Sequence, residues 1–459
     1  MNNTGETALQ LISRHIAQTH FEPGSESLGY LRAAFIDTYG CILGGATQAV
    51  AVKTQQALLA SGQIHPQAGA VVYGTRYRAA PAAAAMANAV AGHALEFDDW
   101  EIPGNTHVSV VLLPAILAAS AGHKLPGSAA IDAYLAGYET IARIGEAINL
   151  EHYDLGWHAT ATIGAIGAAA AVSRLFELNR EQTANALALA TSRALGYNAQ
   201  FGSEAKPVQV GFAVDGGVIA AHLAAAGVTG QAHMLDHHSG MAAMMSHADL
   251  ERVADSMAKR GSELAIDDYF IVFKPWPCCG YTHRIMTGML ELRGRGIDPE
   301  SIESIELHLP DMHAGILPFT QPANQSEALF SLPYCAAMAL LTGNLTIADI
   351  DAQSWRRDDV SSLIAKTVLR PFKADRPELN YDPRQPDRVV INCADGRHEV
   401  DIPYPLGAPQ NPLPESQLRE KFRLNSALDE VAIEHSWERL CRWPGAADIH
   451  DLFRSSPAA

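Results

Sequence analysis

Cysteine is scarce and scattered. The 459-residue chain holds six, Cys41, Cys278, Cys279, Cys335, Cys393 and Cys441, and no Cys-x-x-Cys. So thin a set excludes a disulfide-stapled scaffold and suits free thiols in a reducing compartment; the expected location is cytoplasmic. The opening MNNTGETALQ lacks the basic region and apolar run of a secretory signal. Gly, His or charged residues interrupt every long apolar stretch, so buried helices rather than membrane spans are expected. Charged residues are few, 18% against 48% hydrophobic, which points to much buried surface and to an oligomer. Positive charge is scarcer still: 33 Lys and Arg face 50 Asp and Glu, a net charge of −17. That deficit argues against nucleic acid and against anionic membrane surfaces as partners. It leaves room for a local Lys and His pocket that takes a small anion. Also missing are a G-x-G-x-x-G after a strand, a P-loop, an H-E-x-x-H helix and a G-x-S-x-G elbow. Nucleotide-dependent, zinc-hydrolase and serine-hydrolase chemistries are disfavoured accordingly. Internal repeats and low-complexity stretches are absent too.

What is present is a long run of helix-forming sequence. The length suggests roughly two to three domains. Residues 1–265 read as helix after helix, with Ala-rich cores at 79–94, 108–121, 131–148, 160–178 and 180–194. Ala favours helix, and a helix apolar on nearly every side belongs inside a larger all-α body. The texture changes near Ile266. Residues 301–309 (SIESIELHL) alternate as a strand does, and 388–392 and 399–402 look like two more, joined across Ala394-Asp395-Gly396. Helices are expected between them at 282–293, 328–341 and 354–367. The predicted fold is therefore mainly α: a large all-α domain over 1–268, a smaller α+β domain over 269–404, and C-terminal helices over 405–459 returning to the first body.

Five segments could carry chemistry. His93-Ala-Leu-Glu96-Phe-Asp98-Asp99-Trp100, followed by Thr106-His107-Val-Ser109, places carboxylates at a helix C-terminus, where the dipole disfavours them. A basic partner, a metal or a catalytic role would explain them; a solvated loop is the plain alternative. Gly156-Trp157-His158 leads straight into the next helix, whose N-terminus disfavours imidazolium, so His158 is a neutral base or a capping group. Lys206-Pro207 lies in a polar break, with the Lys expected to be extended. Phe273-Lys274-Pro-Trp276-Pro-Cys278-Cys279 embeds a Lys in an aromatic, Pro-stiffened turn, and burial lowers a Lys pKa toward that of a usable base. Adjacent cysteines do not match common zinc spacings, so no metal is expected there. Phe330-Ser331-Leu-Pro-Tyr334 opens an apolar helix, and its Tyr is either an acid or a packed ring.

In order and spacing these segments resemble the MmgE/PrpD family, over nearly the whole chain. Ala133-Tyr-Leu-Ala-Gly-Tyr-Glu139 and the tail NPLPESQLREKF strengthen the likeness. The resemblance implies a homodimer. It also implies a large helical domain with a smaller lid, an active site between them, and no metal or organic cofactor. It implies small di- or tricarboxylate substrates, as in 2-methylcitrate dehydratase, cis-aconitate decarboxylase and iminodisuccinate epimerase. Carried over by motif, the site holds Lys274, His158, His107, Tyr334 and Asp98 as catalytic residues, with Lys206, Glu96 and Cys279 binding substrate. Departures are Glu96 for the family's first Asp, Val108 for a Pro, Gln209 for a His, and Cys279 for the His of the dehydratase and decarboxylase branches.

The expected reaction is a cofactor-independent dehydration. Lys274 or His158 removes the α-proton, Tyr334 or His107 protonates the leaving hydroxyl, and Asp98 holds a His in the right tautomer. An epimerase using the same proton abstraction is the alternative, and a binding-only homologue is the third reading.

Overall fold

In the computed structural model, which describes residues 6–65, 69–248, 264–377, 379–426 and 428–453, the chain is mainly α-helical. The Ala-rich segments form the helices Pro81–His93, Val108–Ala119, Gly127–Ile148, Ala159–Leu175 and Arg180–Thr191, which pack on one another. All twelve residues of Val108–Ala119 are buried, as an all-apolar sequence demands. The expected run of helices to residue 265 includes 249–263, which lie outside the described residues, as does the tail from 454.

Small residues let these helices close up. The helix Ser25–Gly45 meets Pro81–His93 so tightly that a Cβ on Gly45 would sit 1.8 Å from the carbonyl oxygen of Ala91. Ala91 is two residues from His93, where the functional loop starts.

The helix Ala205–Ala225 corrects the expectation about membrane-length segments: its 21 residues are long and apolar enough to span a bilayer. It packs instead between Pro81–His93, Ala159–Leu175 and Arg180–Thr191, with 61% of its apolar window buried. Lys206 is its second residue, in helical conformation rather than extended. Pro207 is tolerated because a first-turn N–H needs no partner within the helix.

The helical body also holds a small sheet that composition concealed. Strands β1 (Ile64–His65), β2 (Ala70–Val71) and β3 (Arg78–Ala79) pair antiparallel in the order β1-β3-β2. Two-residue strands are too short for alternation to show.

A second sheet follows Ile266, with four strands: β4 (Ile302–Pro310), β5 (Thr367–Phe372), β6 (Asp387–Cys393) and β7 (Gly396–Ile402), ordered β5-β4-β6-β7. The β6–β7 hairpin closes at Cys393 opposite Gly396. β5 pairs parallel with β4 from Ile305–Thr367 to Pro310–Phe372. The expected helix at 354–367 divides into Ser354–Arg356, Asp358–Ala365 and this strand. Pro371 confines the strand to the sheet edge, where its missing N–H costs no ladder bond. The helix expected at 328–341 starts at Leu332, after an N-cap at Ser331. Helix His283–Gly294 covers β6 and β7, and Leu332–Thr342 packs on that helix.

The C-terminal chain lies against the first helices. Helix Glu415–Ser426 packs on Ser25–Gly45, and Trp443 stacks on Phe35 with ring centroids 4.0 Å apart. The Ile449 N–H donates to the Leu125 carbonyl at 2.8 Å.

Replacing Gly45 by Ala should therefore cost at least about 2 kcal/mol, since the colliding atom is backbone and cannot rotate away. Urea denaturation with an unchanged slope and a lowered midpoint would register it.

Candidate active site

The helix Pro81–His93 ends, and the chain turns sharply through Glu96, whose φ of +51° is unusual for a residue with a Cβ. Such strain persists only where surrounding contacts over-determine it. Here the contacts come from three directions. Lys421, from the C-terminal helix, donates to the Phe97 carbonyl at 2.6 Å and pairs with Asp37 at 2.6 Å. Trp100 exchanges backbone hydrogen bonds with Val272, at 3.1 and 2.9 Å, tying the loop to the Lys274 segment. The Glu101 carboxylate accepts from the N–H groups of Gly104 and Thr106, at 3.0 and 3.1 Å, closing the turn before His107.

Two of the acidic residues are thus structural. Glu101 closes a turn, and Asp99 accepts from the Ser109 N–H at 3.1 Å and from its hydroxyl. Burial pushes Asp99 up to about 8 and Glu101 up to about 7. The other two, Glu96 and Asp98, face cations, and this answers why carboxylates stand at a helix C-terminus.

Glu96 is the junction. One oxygen pairs with the Lys206 ammonium and lies 3.1 Å from His93 Nε2; the other is 3.4 Å from Lys274 Nζ. Lys274 also donates to the Glu96 backbone carbonyl at 3.0 Å. Burial opposes ionisation, but Lys206, His93 and Lys274 together hold the Glu96 carboxyl well below the usual range. Asp98 lies 2.9 Å from His93 Nδ1 and 3.1 Å from His107 Nδ1, and these rings outweigh its burial and keep it ionised.

The three histidines therefore differ. His93 has a carboxylate at each nitrogen, so it carries both protons; Asp98 and Glu96 overcome burial and raise its pKa. His107 is the N-cap of Val108–Ala119 and donates Nδ1–H to the Asp99 carbonyl at 2.9 Å. Burial drops it to about 4, so it is neutral with a lone pair at Nε2. His158 is the N-cap of Ala159–Leu175, and burial with Lys206 nearby depresses it far below its ordinary value. Its Nδ1 lies 3.0 Å from Gln209 Oε1, and its Nε2 is buried with no partner. Two helix N-termini thus aim at one spot and oppose a proton on either ring.

The lysines correct the expectation that Lys274 is the softened amine. Burial lowers Lys274, but the charges of Glu96 and Asp98 outweigh it and raise its pKa. Lys206 is the lowered one, through burial, with Lys274 adding to it. Its ammonium lies between the Phe201 and Phe330 rings, 4.7 and 5.0 Å from their centroids.

Glu96, His107, His158, Lys206, Lys274 and Cys279 line one cleft, with Trp100, Asn105, Tyr153, Phe201, Tyr281 and Phe330. Asp98 sits behind it, bridging His93 and His107. Burial pushes the Cys279 thiol up to about 11, so it is protonated. Cys278 turns away, its sulfur 3.0 Å from the Thr282 hydroxyl and 3.5 Å from His283 Nε2. Tyr334 is not brought to the cleft. Its ring meets Trp355 edge-on at 6.0 Å, and its hydroxyl is buried without a hydrogen bond. The helix starts at Leu332 and turns Tyr334 into the core, while Phe330 before it lines the cleft. Sequence reasoning missed Phe330, Phe201 and the full role of His93; Phe330 and His93 stood inside segments already singled out.

His93, Asp98 and His107 have the mutual spacing of metal ligands. Asp98 is already engaged by both rings, however, and the ammoniums of Lys206 and Lys274 beside Glu96 repel a divalent cation. The donor set does not suit a metal.

Comparison with known proteins places these residues in context. Residues 10–252 match the MmgE/PrpD N-terminal domain and 276–438 the MmgE/PrpD C-terminal domain. A cis-aconitate decarboxylase of Mus musculus is 30% identical over 367 residues, 76% of this chain and 73% of that protein. One of Homo sapiens is 29% identical over 405 residues, 85% of this chain and 82% of that protein. One of Aspergillus terreus is 26% identical over 456 residues, covering 93% and 91%.

The neutral histidines make folding sensitive to acid. Below the unfolded value of about 6.5 the denatured chain binds protons that His107 and His158 refuse, so their contribution to stability falls with pH. Asp99 and Glu101, pushed up to about 8 and about 7, act in the opposite direction, so the effect is read as a difference: between about pH 6.5 and 4 the melting temperature of the parent should fall relative to that of a His107→Gln variant.

Proposed function

Because this chain belongs to the MmgE/PrpD family, we propose that it is a cofactor-independent lyase that forms a carbanion beside a carboxylate of a small di- or tricarboxylate. One juxtaposition carries the reading. The unpartnered Nε2 of a neutral histidine, His158, and two buried ammoniums, Lys206 and Lys274, serve the same cleft. Loss of an α-proton drives negative charge onto the adjacent carboxylate. Cations already fixed there stabilise it without reorganising.

The roles follow from protonation states. His158 takes the α-proton, since a neutral imidazole is the available base. Lys274, held as an ammonium by Glu96 and Asp98, clamps the carboxylate. Lys206, the more acidic of the two lysines, gives its proton to the leaving hydroxyl. His107, which has only a lone pair toward the cleft, accepts from substrate rather than donating. Lys206, Lys274 and His93 outnumber Glu96 and Asp98 by one charge, which favours an anionic ligand. Dehydration is the form this arrangement serves best, because it needs a base. Loss of carbon dioxide, the reaction in the names of the relatives, uses the same cations; the protonated Cys279 thiol could then supply the proton that the carbanion takes. Epimerisation would return a proton to the opposite face, and Cys279 is a suitable donor for that as well.

The α+β part supplies Lys274, Cys279, Tyr281 and Phe330, and the helical body supplies the other named side chains, which supports a lid closing over the cleft. The six cysteines are free, in keeping with a cytoplasmic location. We assign the outward face of Ala205–Ala225 to a homodimer, because it leaves Phe212, Ile219 and Leu223 half exposed in one stripe. A Phe212→Lys/Ile219→Lys variant should elute as a monomer where the parent elutes as a dimer.

Proton NMR in D₂O tests the reaction with 2-methylcitrate, citrate, cis-aconitate, malate, tartrate and iminodisuccinate. A new alkene, or hydration of one, supports dehydration. Loss of carbon dioxide with deuterium at the vacated carbon would move the reading to decarboxylation. Deuterium exchange without a new product would overturn the lyase reading in favour of an epimerase. Lys274→Ala should lower turnover about 10²- to 10³-fold; a change in affinity alone, with no turnover to lose, would mark a binding protein.

A further inference from the structure

We propose that Gln209 is a positioning residue that sets the tautomer of His158 and so presents its Nε2 lone pair to the cleft. This rests on the reading of His158 as the base.

The hydrogen bonds determine the proton's place. Gln209 lies in the second turn of Ala205–Ala225 and is 8% exposed. Its side chain clamps one backbone residue at two points: Oε1 accepts from the Tyr197 N–H at 3.0 Å, and Nε2 donates to the Tyr197 carbonyl at 3.3 Å. A backbone N–H can only donate and a carbonyl can only accept, so the amide has one orientation. The same Oε1 lies 3.0 Å from His158 Nδ1. Oxygen with two lone pairs cannot donate, so Nδ1 carries the hydrogen. In a neutral imidazole that leaves Nε2 as a lone pair, and Nε2 is the atom with no partner.

The surroundings keep this arrangement. The His158 N–H donates to the Gly196 carbonyl at 3.0 Å. A Cβ on Gly196 would lie 2.6 Å from Gln209 Oε1 and 3.3 Å from His158 Cβ, so a larger residue would prise the pair apart. The edge of Phe201 meets the His158 ring at 5.0 Å. The charged or titratable groups facing that ring are Lys206, His93 and His107, with His93 stacked at 6.2 Å. Lys206 and His93 carry positive charge, so they oppose a second proton. Among the described residues the one hydrogen-bond partner of the ring is Gln209, at Nδ1.

Gln209→Met removes the acceptor at similar size, and Gln209→Glu keeps it with a negative charge. ¹⁵N NMR of histidine-labelled protein, with His158→Gln to assign the signal, reads the tautomer directly. The parent should show Nδ1 protonated and Nε2 bare, and Gln209→Met should show a mixture of the two. On whichever substrate turns over, Gln209→Met should lose about tenfold in kcat with KM changed less than about threefold. Gln209→Glu should keep the Nδ1 proton and shift the acid limb of the kcat profile upward by about one pH unit. A parent ring protonated at Nε2, or a Gln209→Met variant that keeps the tautomer, overturns the proposal. A kept tautomer combined with lost turnover counts against it equally. The spectrum decides even if no substrate is turned over, a result that would instead strike the proposed reaction.

Discussion

Much of this structure depends on the carboxylate of Glu96. It meets Lys206 from the long helix, Lys274 from the α+β part and His93 from the end of its own helix, all within one buried space. Three cations converging without it would repel one another in a medium that screens them poorly. With it, each is held, and the two parts of the chain are joined at the cleft they share. The left-handed backbone of Glu96 is the local cost of placing its side chain there, and the Lys421 and Val272 contacts hold that backbone from behind.

The same carboxylate, with Asp98, sorts the neighbouring groups into charged and neutral. His93, between the two acids, is an imidazolium. His107 and His158, at the N-caps of two helices, stay neutral because burial and the helix dipoles act in the same direction. Lys274 feels both Glu96 and Asp98 and is reinforced, whereas Lys206, buried with Lys274 beside it, is softened. Two lysines that would be equivalent in water thus become unlike, and so do three histidines. Each difference traces to a neighbour placed by a distant stretch of chain.

Much of the fold was legible. The Ala-rich runs announced buried helices because a helix with no polar face has nowhere else to go. The alternation at 301–309 announced the central strand within one residue. β5 was hidden because TVLRPF follows a helical run without a break and carries a proline that only an edge strand accepts. Most of the site was legible too. Glu96, His107, His158, Lys206, Lys274 and Cys279 stood in segments with too much chemistry for their surroundings, and they line one cleft. Tyr334 did not follow, because the register of its helix, which begins at Leu332, points the ring at Trp355 and leaves the cleft to Phe330.

By itself the amino-acid sequence determined which residues could act. Their polar types are set in apolar context at helix ends and in Pro-stiffened turns, and local physics reads such placements. Only the tertiary structure decided what each one does. Lys274 became the firm cation and Lys206 the yielding one because a pKa is a property of neighbours, and Glu96, Asp98, Phe201 and Phe330 are neighbours only after folding. The tautomer of His158 is the clearest instance. It is set by one amide oxygen 51 positions away in the chain, at a distance that no local pattern encodes.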